Sequence, residues 1–204
     1  MKKLLIIVAI FLYGCGAYCQ SNNVFIYGET GIGYGSHFSV KAAVNSIFDS
    51  NRIISVGYYL NSRTAPGVPS DYSGGLFGGK PKQTLNMLAL MYGKVFFYKN
   101  HYKVRYTLKG GIALGDAMTP TNYRSINLGT YSYNFGPDYN YSYHTVFNYG
   151  IVLNPTIELP ISRGFGFSFG AFSIINPISS SVGLEANLLI GKLRNKRIRH
   201  ISEK

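Results

Sequence analysis

Between residues 23 and 193 apolar residues alternate with small or polar ones in run after run, and no stretch carries a capped 3.6-residue apolar stripe. A period of two sends successive side chains to opposite faces of an extended strand, so the chain is read as all-β. The clearest run sets Val182, Leu184, Ala186, Leu188 and Ile190 against Ser181, Gly183, Glu185, Asn187 and Gly191. In another, Phe147, Tyr149, Ile151, Leu153, Ile157 and Leu159 oppose Asn148, Gly150, Asn154, Thr156 and Glu158. Val104, Tyr106, Leu108 and Ile112 oppose Lys103, Arg105, Thr107 and Lys109, while Phe165, Phe167, Phe169 and Ala171 oppose Gly164, Gly166, Ser168 and Gly170. The pattern divides into eight strands, at 23–35, 37–48, 52–63, 84–98, 101–116, 141–160, 164–176 and 181–193.

The links between these strands differ in kind. Asp49-Ser50-Asn51, Lys99-Asn100 and Ile161-Ser162-Arg163 are tight, whereas 64–83 is long and rich in Gly and Pro, and 117–140 is long and rich in Tyr and Asn. Short turns on one side and long loops on the other are the asymmetry of barrels in bacterial outer membranes, although the links at Gly35-Ser36 and Pro177 to Ser180 are short as well.

The first 20 residues read as a secretory signal peptide: Lys2 and Lys3, an apolar run from Leu4 to Leu12, then small and polar residues to Gln20. Nine apolar residues are too few for a membrane-spanning helix, which needs about 20. Cleavage after Cys19 leaves a mature chain without cysteine, which excludes disulfides, thiol catalysis and Cys-ligated zinc; the alternative is a lipoprotein signal with lipidation at Cys15. The resulting division is a signal peptide at 1–19, a β-barrel at 20–193 and a basic periplasmic tail at 194–204. Charged residues make up only 14% of the chain, against about 25% in soluble domains, and secretion argues against nucleic acid as the partner of its net charge of +12.

One face of the strands is rich in large apolar residues, the other in Gly and short polar residues. That division suits lipid outside and a narrow filled lumen inside better than a β-sandwich does. Closure also hydrogen-bonds every strand edge, as lipid requires. Threading the strands up and down places Glu29 and Glu185 on neighbouring strands at similar heights, and Glu158 level with Lys103 and Arg105. Lys41, Lys94 and Lys109 are read as pointing inward too, so that acids and bases pair in the interior.

No catalytic constellation is evident, and neither a metal nor another cofactor is expected. His37, His101, His144 and His200 are scattered without metal-ligand spacing. Ser142 and His144 share a face near the outer rim, but no orienting acid accompanies them. The segment holding Tyr131, Tyr133, Tyr139, Tyr141 and Tyr143 is read as a projecting hairpin that turns at Gly136-Pro137-Asp138. Its rings can stack on a sugar, pack on a protein partner, or simply pair across the hairpin.

The opening Val24-Phe25-Ile26-Tyr27-Gly28 with Gly31-Ile32-Gly33-Tyr34, the alternating strands and the close at Val182 to Gly191 resemble the small outer-membrane β-barrel proteins of the PorT-like and OmpX/OmpA-barrel type. The resemblance implies an antiparallel up-and-down barrel of about eight strands in the outer membrane of a Gram-negative envelope, with membrane lipid and the barrel assembly machinery as partners. It implies location and fold more than activity. Relatives of this kind are structural, adhesive, secretion-associated, porin-like or enzymatic. The expected function is non-enzymatic, either structural or binding an extracellular glycan or protein through the outer loops; the alternatives are a rim-located acyl hydrolase or transferase and a secretion-associated barrel. Such barrels usually end on an aromatic residue that the assembly machinery reads, whereas this last strand ends near Leu193 and runs on into the tail.

Overall fold

A computed structural model describes residues 24–48, 51–75, 78–98, 104–126 and 137–193. The cleavage region, Lys103, Tyr131, Tyr133 and the 194–204 tail lie outside these residues. The described chain forms eight antiparallel strands: β1 (Phe25–Gly35), β2 (Phe38–Phe48), β3 (Arg52–Thr64), β4 (Lys82–Phe97), β5 (Arg105–Ser125), β6 (Tyr139–Pro160), β7 (Phe165–Ile175) and β8 (Ser181–Gly191). Each pairs with its sequence neighbours, and β1 also pairs with β8, so one sheet closes on itself and leaves no second sheet for a sandwich.

Closure sorts the alternating residues into lipid and lumen. Leu88, Leu90, Ile112, Leu114, Ile151, Leu153, Leu184 and Ile190 are exposed on the outer wall. Strands of 11 residues, such as β1, β2, β7 and β8, span roughly 28 Å at about 3.3 Å per residue and a tilt near 40°, enough for the apolar band of an outer membrane.

The lumen is filled in layers. Toward the periplasmic end Phe25, Tyr27, Ile47, Ile53, Val95, Leu189 and Leu193 form one apolar plug. In the outer half Tyr59, Leu85, Met87, Ala89, Met91, Ala113, Ala117, Val152 and Ile174 form another. Between the plugs lie Glu29, Lys41, Lys109 and Glu185, while Arg105 and Glu158 are set among the periplasmic plug, with Arg105 level with Phe97 and bonded to the Leu193 carbonyl. The sequence pattern suggested a largely small and polar interior; the outer plug departs from it because β4 is apolar on both faces, and the periplasmic one because the inward rows of β1, β2, β3 and β8 turn apolar near their periplasmic ends.

That two-faced β4 also explains where the sequence reading of Lys94 fails. Lys94 is exposed on the outer wall, level with Leu108 on β5, while Gly93 and Lys109 share the inward row. Alternation carries no register information where both faces are apolar, and near a strand end a lysine can reach the headgroups from outside.

The second departure is at the top of the barrel. β5 runs on to Ser125 and β6 begins at Tyr139, giving strands of 21 and 22 residues. The arm from Tyr139 to Tyr143 therefore pairs with β5 through Ser125↔Tyr139, Arg124↔Asn140, Thr121↔Ser142 and Pro120↔Tyr143, while the expected partner arm with Tyr131 and Tyr133 lies outside the described residues. A bulge between Thr121 and Arg124 accommodates the extension, with Asn122 at φ 58°, a left-handed conformation that asparagine tolerates.

Candidate functional site

The charged groups of the lumen are three carboxylates and three cations among the described residues: Glu29, Glu158 and Glu185 with Lys41, Arg105 and Lys109, all buried. Their formal charges cancel. Glu29 is the hub. Its Oε1 accepts from Lys41 Nζ at 2.8 Å, Asn187 Nδ2 at 3.0 Å and Ser168 Oγ at 3.2 Å, and its Oε2 from Lys109 Nζ and Asn45 Nδ2, both at 3.0 Å. These donors come from β2, β5, β7 and β8, so one β1 carboxylate ties together strands across the lumen.

The strand register sets the two acids on β1 and β8 apart. Glu29 pairs with Leu189 and Glu185 with Gly33, an offset of four residues where similar heights were anticipated. Lys41, opposite Gly31, spans the gap and donates to Glu185 Oε1 at 2.7 Å as well as to Glu29. Gly31 keeps that space open, since a Cβ there would run into the Ala186 carbonyl and the Asn187 amide.

Glu158 forms a second knot nearer the periplasm. It accepts from Arg105 Nε at 2.6 Å, from Thr107 Oγ1 at 3.1 Å, and from the Tyr27 hydroxyl at 2.9 Å and 3.0 Å to its two oxygens. The Arg105 guanidinium lies 4.8 Å from the Tyr27 ring centre and donates through Nη1 to the Leu193 carbonyl at 3.0 Å.

Asn154 repairs a fault in the wall. Pro155 has no N–H for its ladder partner on β7, and pairing between β6 and β7 is interrupted from Leu153 to Thr156. The Asn154 amide donates to the Ala171 carbonyl at 2.8 Å in its place, and also to Glu185 at 2.9 Å, while its oxygen accepts from Lys41 at 3.1 Å. The polar inward run on β6 was visible in the sequence, but this repair was not, because it depends on which carbonyl faces Pro155.

At the outer end, residues 71–73 of the β3–β4 link pack against the start of β6. Ser73 donates its amide to Asp138 Oδ1 at 2.8 Å, Asp138 returns its amide to the Ser73 carbonyl at 3.1 Å, and the Tyr139 hydroxyl donates to Asp71 at 2.8 Å. Tyr72 stacks on Tyr139 at 6.0 Å, Tyr123 meets Tyr141 at 5.8 Å, and Tyr141 meets Tyr143 edge-on at 5.6 Å. Tyr72, Tyr123 and Asp71 were not foreseen as members of this cluster. They come from distant segments, and only the β5 extension and the docked loop bring them in.

A smaller clasp closes the low side of the rim. His37, in the β1–β2 link, shares hydrogen bonds with Ser36 Oγ at 3.0 Å and with Ser179 Oγ of the β7–β8 link at 3.2 Å. Burial, with the Arg63 cation adding to it, depresses the His37 imidazole to about 4. The Ser142 hydroxyl, by contrast, is engaged by Asn122 Nδ2 at 3.2 Å and reaches the Thr121 carbonyl at 3.5 Å rather than His144. Among the described residues no group of His, Cys, Asp and Glu is arranged to hold a metal ion.

A closed eight-strand barrel with an apolar outer wall and a charge-balanced, filled lumen defines an integral β-barrel of the bacterial outer membrane. The N-terminal β-barrel domain of Pseudomonas aeruginosa OprF superposes with a TM-score of 0.51 at 8% identity, covering 83% of this chain and 97% of that one. Ail, the attachment invasion locus protein of Yersinia pestis, gives 0.46 at 10% identity over 83% of this chain and 97% of its own. Neisserial surface protein A gives 0.45 at 11% identity over 84% and 97%. At these identities the likeness is one of fold. No family model and no curated protein sequence matches the chain.

Proposed function

We propose that the protein is a non-enzymatic outer-membrane barrel that binds an extracellular glycan or protein through the tyrosine face of its raised β5–β6 hairpin. The observation that carries this reading is the cluster of Tyr72, Tyr123, Tyr139, Tyr141 and Tyr143, held above the lipid band by two strands about twice the length of β1 and β2. Stacked aromatic rings supply large, rigid contact area at small entropic cost, and a sugar ring or an apolar protein side chain can use it. Asp71, Asp138 and Arg124 border the rings with hydrogen-bonding groups.

The test is a glycan array and an extracellular-protein panel probed with the detergent-solubilised chain and with a Tyr141→Ala/Tyr143→Ala variant. Binding that vanishes in the variant, with heat-modifiable gel mobility intact, supports the reading. A ligand bound equally by both proteins overturns it. A secretion-associated barrel of the PorT-like kind would instead lose its role on removal of residues 194–204 and tolerate the tyrosine changes.

A further inference from the structure

The outward turn of Lys94 places it directly opposite Arg52 on the outer wall, where β3 leaves its periplasmic turn. Both side chains are exposed, and neither has a carboxylate partner among the described residues. Like charges facing each other across a strand pair repel, so the pair is stabilising only when an anion lies across it. The Lys94 ammonium sits 5.5 Å from the Phe96 ring centre, within the aromatic band that marks the membrane interface.

Beside the cations the wall is indented. Gly110 faces outward without a side chain, between Tyr92 on β4 and Leu153 on β6, with Leu108 below; the resulting groove of about 550 Å³ runs from Asn51 and Arg52 toward Leu153. Its sides are apolar and one end is doubly cationic. A soluble anion has no use for the apolar part, and a neutral lipid none for the cations. We propose that this groove is a binding site for an anionic glycerophospholipid of the periplasmic leaflet, with the phosphate between Arg52 and Lys94 and an acyl chain laid over Gly110.

Native mass spectrometry of the detergent-purified chain, offered phosphatidylglycerol or phosphatidylcholine of the same acyl composition, tests this. The native protein retains phosphatidylglycerol preferentially. Arg52→Gln/Lys94→Gln lowers that retention about thirtyfold, the equivalent of about 1 kcal/mol for each cation near a phosphate. Gly110→Leu fills the groove with both charges kept and also releases the lipid. The added Cβ meets the end of the Leu153 side chain at 3.3 Å and the Val152 carbonyl at an ordinary 3.7 Å, so this variant is expected to fold. Lys80→Gln/Lys82→Gln, at the opposite rim, leaves retention unchanged. Equal retention of the two lipids by the native chain overturns the proposal, as does a preference that survives Arg52→Gln/Lys94→Gln. Displacement by millimolar inorganic phosphate together with indifference to Gly110→Leu would show a bare phosphate site and overturn it too.

Discussion

Lys41 lies between two buried carboxylates, and its removal leaves Glu29 and Glu185 short of their shared cation. Breaking a buried ion pair from one side costs about 3–5 kcal/mol, so Lys41→Met should lower the urea midpoint sharply in neutral detergent, whereas Lys94→Met on the outer wall should change stability by no more than about 0.5 kcal/mol. Similar losses in the two variants would contradict the inward and outward assignments. Asn154→Ala should cost about 1–3 kcal/mol, because it unpairs the Ala171 carbonyl and withdraws a donor from Glu185. Adding Pro155→Ala returns a main-chain N–H to that carbonyl, so a double-mutant cycle should recover part of the loss. Strict additivity would mean that Asn154 does not substitute for the missing donor.

At the scale of elements, the raised hairpin and the rim clasp are stabilised differently. Above Thr119 the hairpin is held by its own ladder, the Tyr contacts and the 65–81 loop, all outside the lumen layers. Replacing residues 119–144 with a short turn should therefore leave a heat-modifiable barrel; loss of that mobility shift would show that the extension is needed for closure. The clasp joins the β1–β2 and β7–β8 links through a histidine that is neutral in the folded protein. An unfolded histidine titrates near 6.5 and folded His37 near 4, so between these values the unfolded state binds more protons. The contribution of His37 to stability is complete above about pH 6.5 and is lost as pH falls toward 4. Unfolding titrations across that window should show a shallower pH dependence for His37→Gln than for the native chain, and identical slopes would exclude the clasp as a titrating element.

For the whole molecule, the two apolar plugs and the charge-neutral layer between them fill the described lumen with buried side chains. Eight strands enclose an interior just wide enough to be filled by side chains or to hold one small ligand, not an open aqueous channel. Planar bilayers containing the purified protein should accordingly show no steady conductance steps. Regular single-channel openings would mean that the layers part in the membrane.

Much of this architecture could be read from the chain. The period of two gave the strands, their closure and both faces of β5, β6 and β8, because lipid and lumen demand opposite chemistry from adjacent residues; the structure closes β1 onto β8 as expected and lengthens β5 and β6. The acids and bases of the lumen could be nominated for a similar reason, since charges on the inward face of a closed barrel require partners. Which of them meet was decided by register and strand tilt: Glu29 reaches Lys109 across the lumen, Lys41 fills a four-residue offset, and the pairing of β4 with β3 and β5 turns Lys94 toward lipid, which its two apolar faces had left open. The tyrosine face was half visible, as Tyr139, Tyr141 and Tyr143, but its company of Tyr72, Tyr123 and Asp71 is non-local. Alternation fixes which side of a sheet a residue occupies, whereas the identity of its neighbours depends on how distant strands are paired, and only tertiary structure sets that.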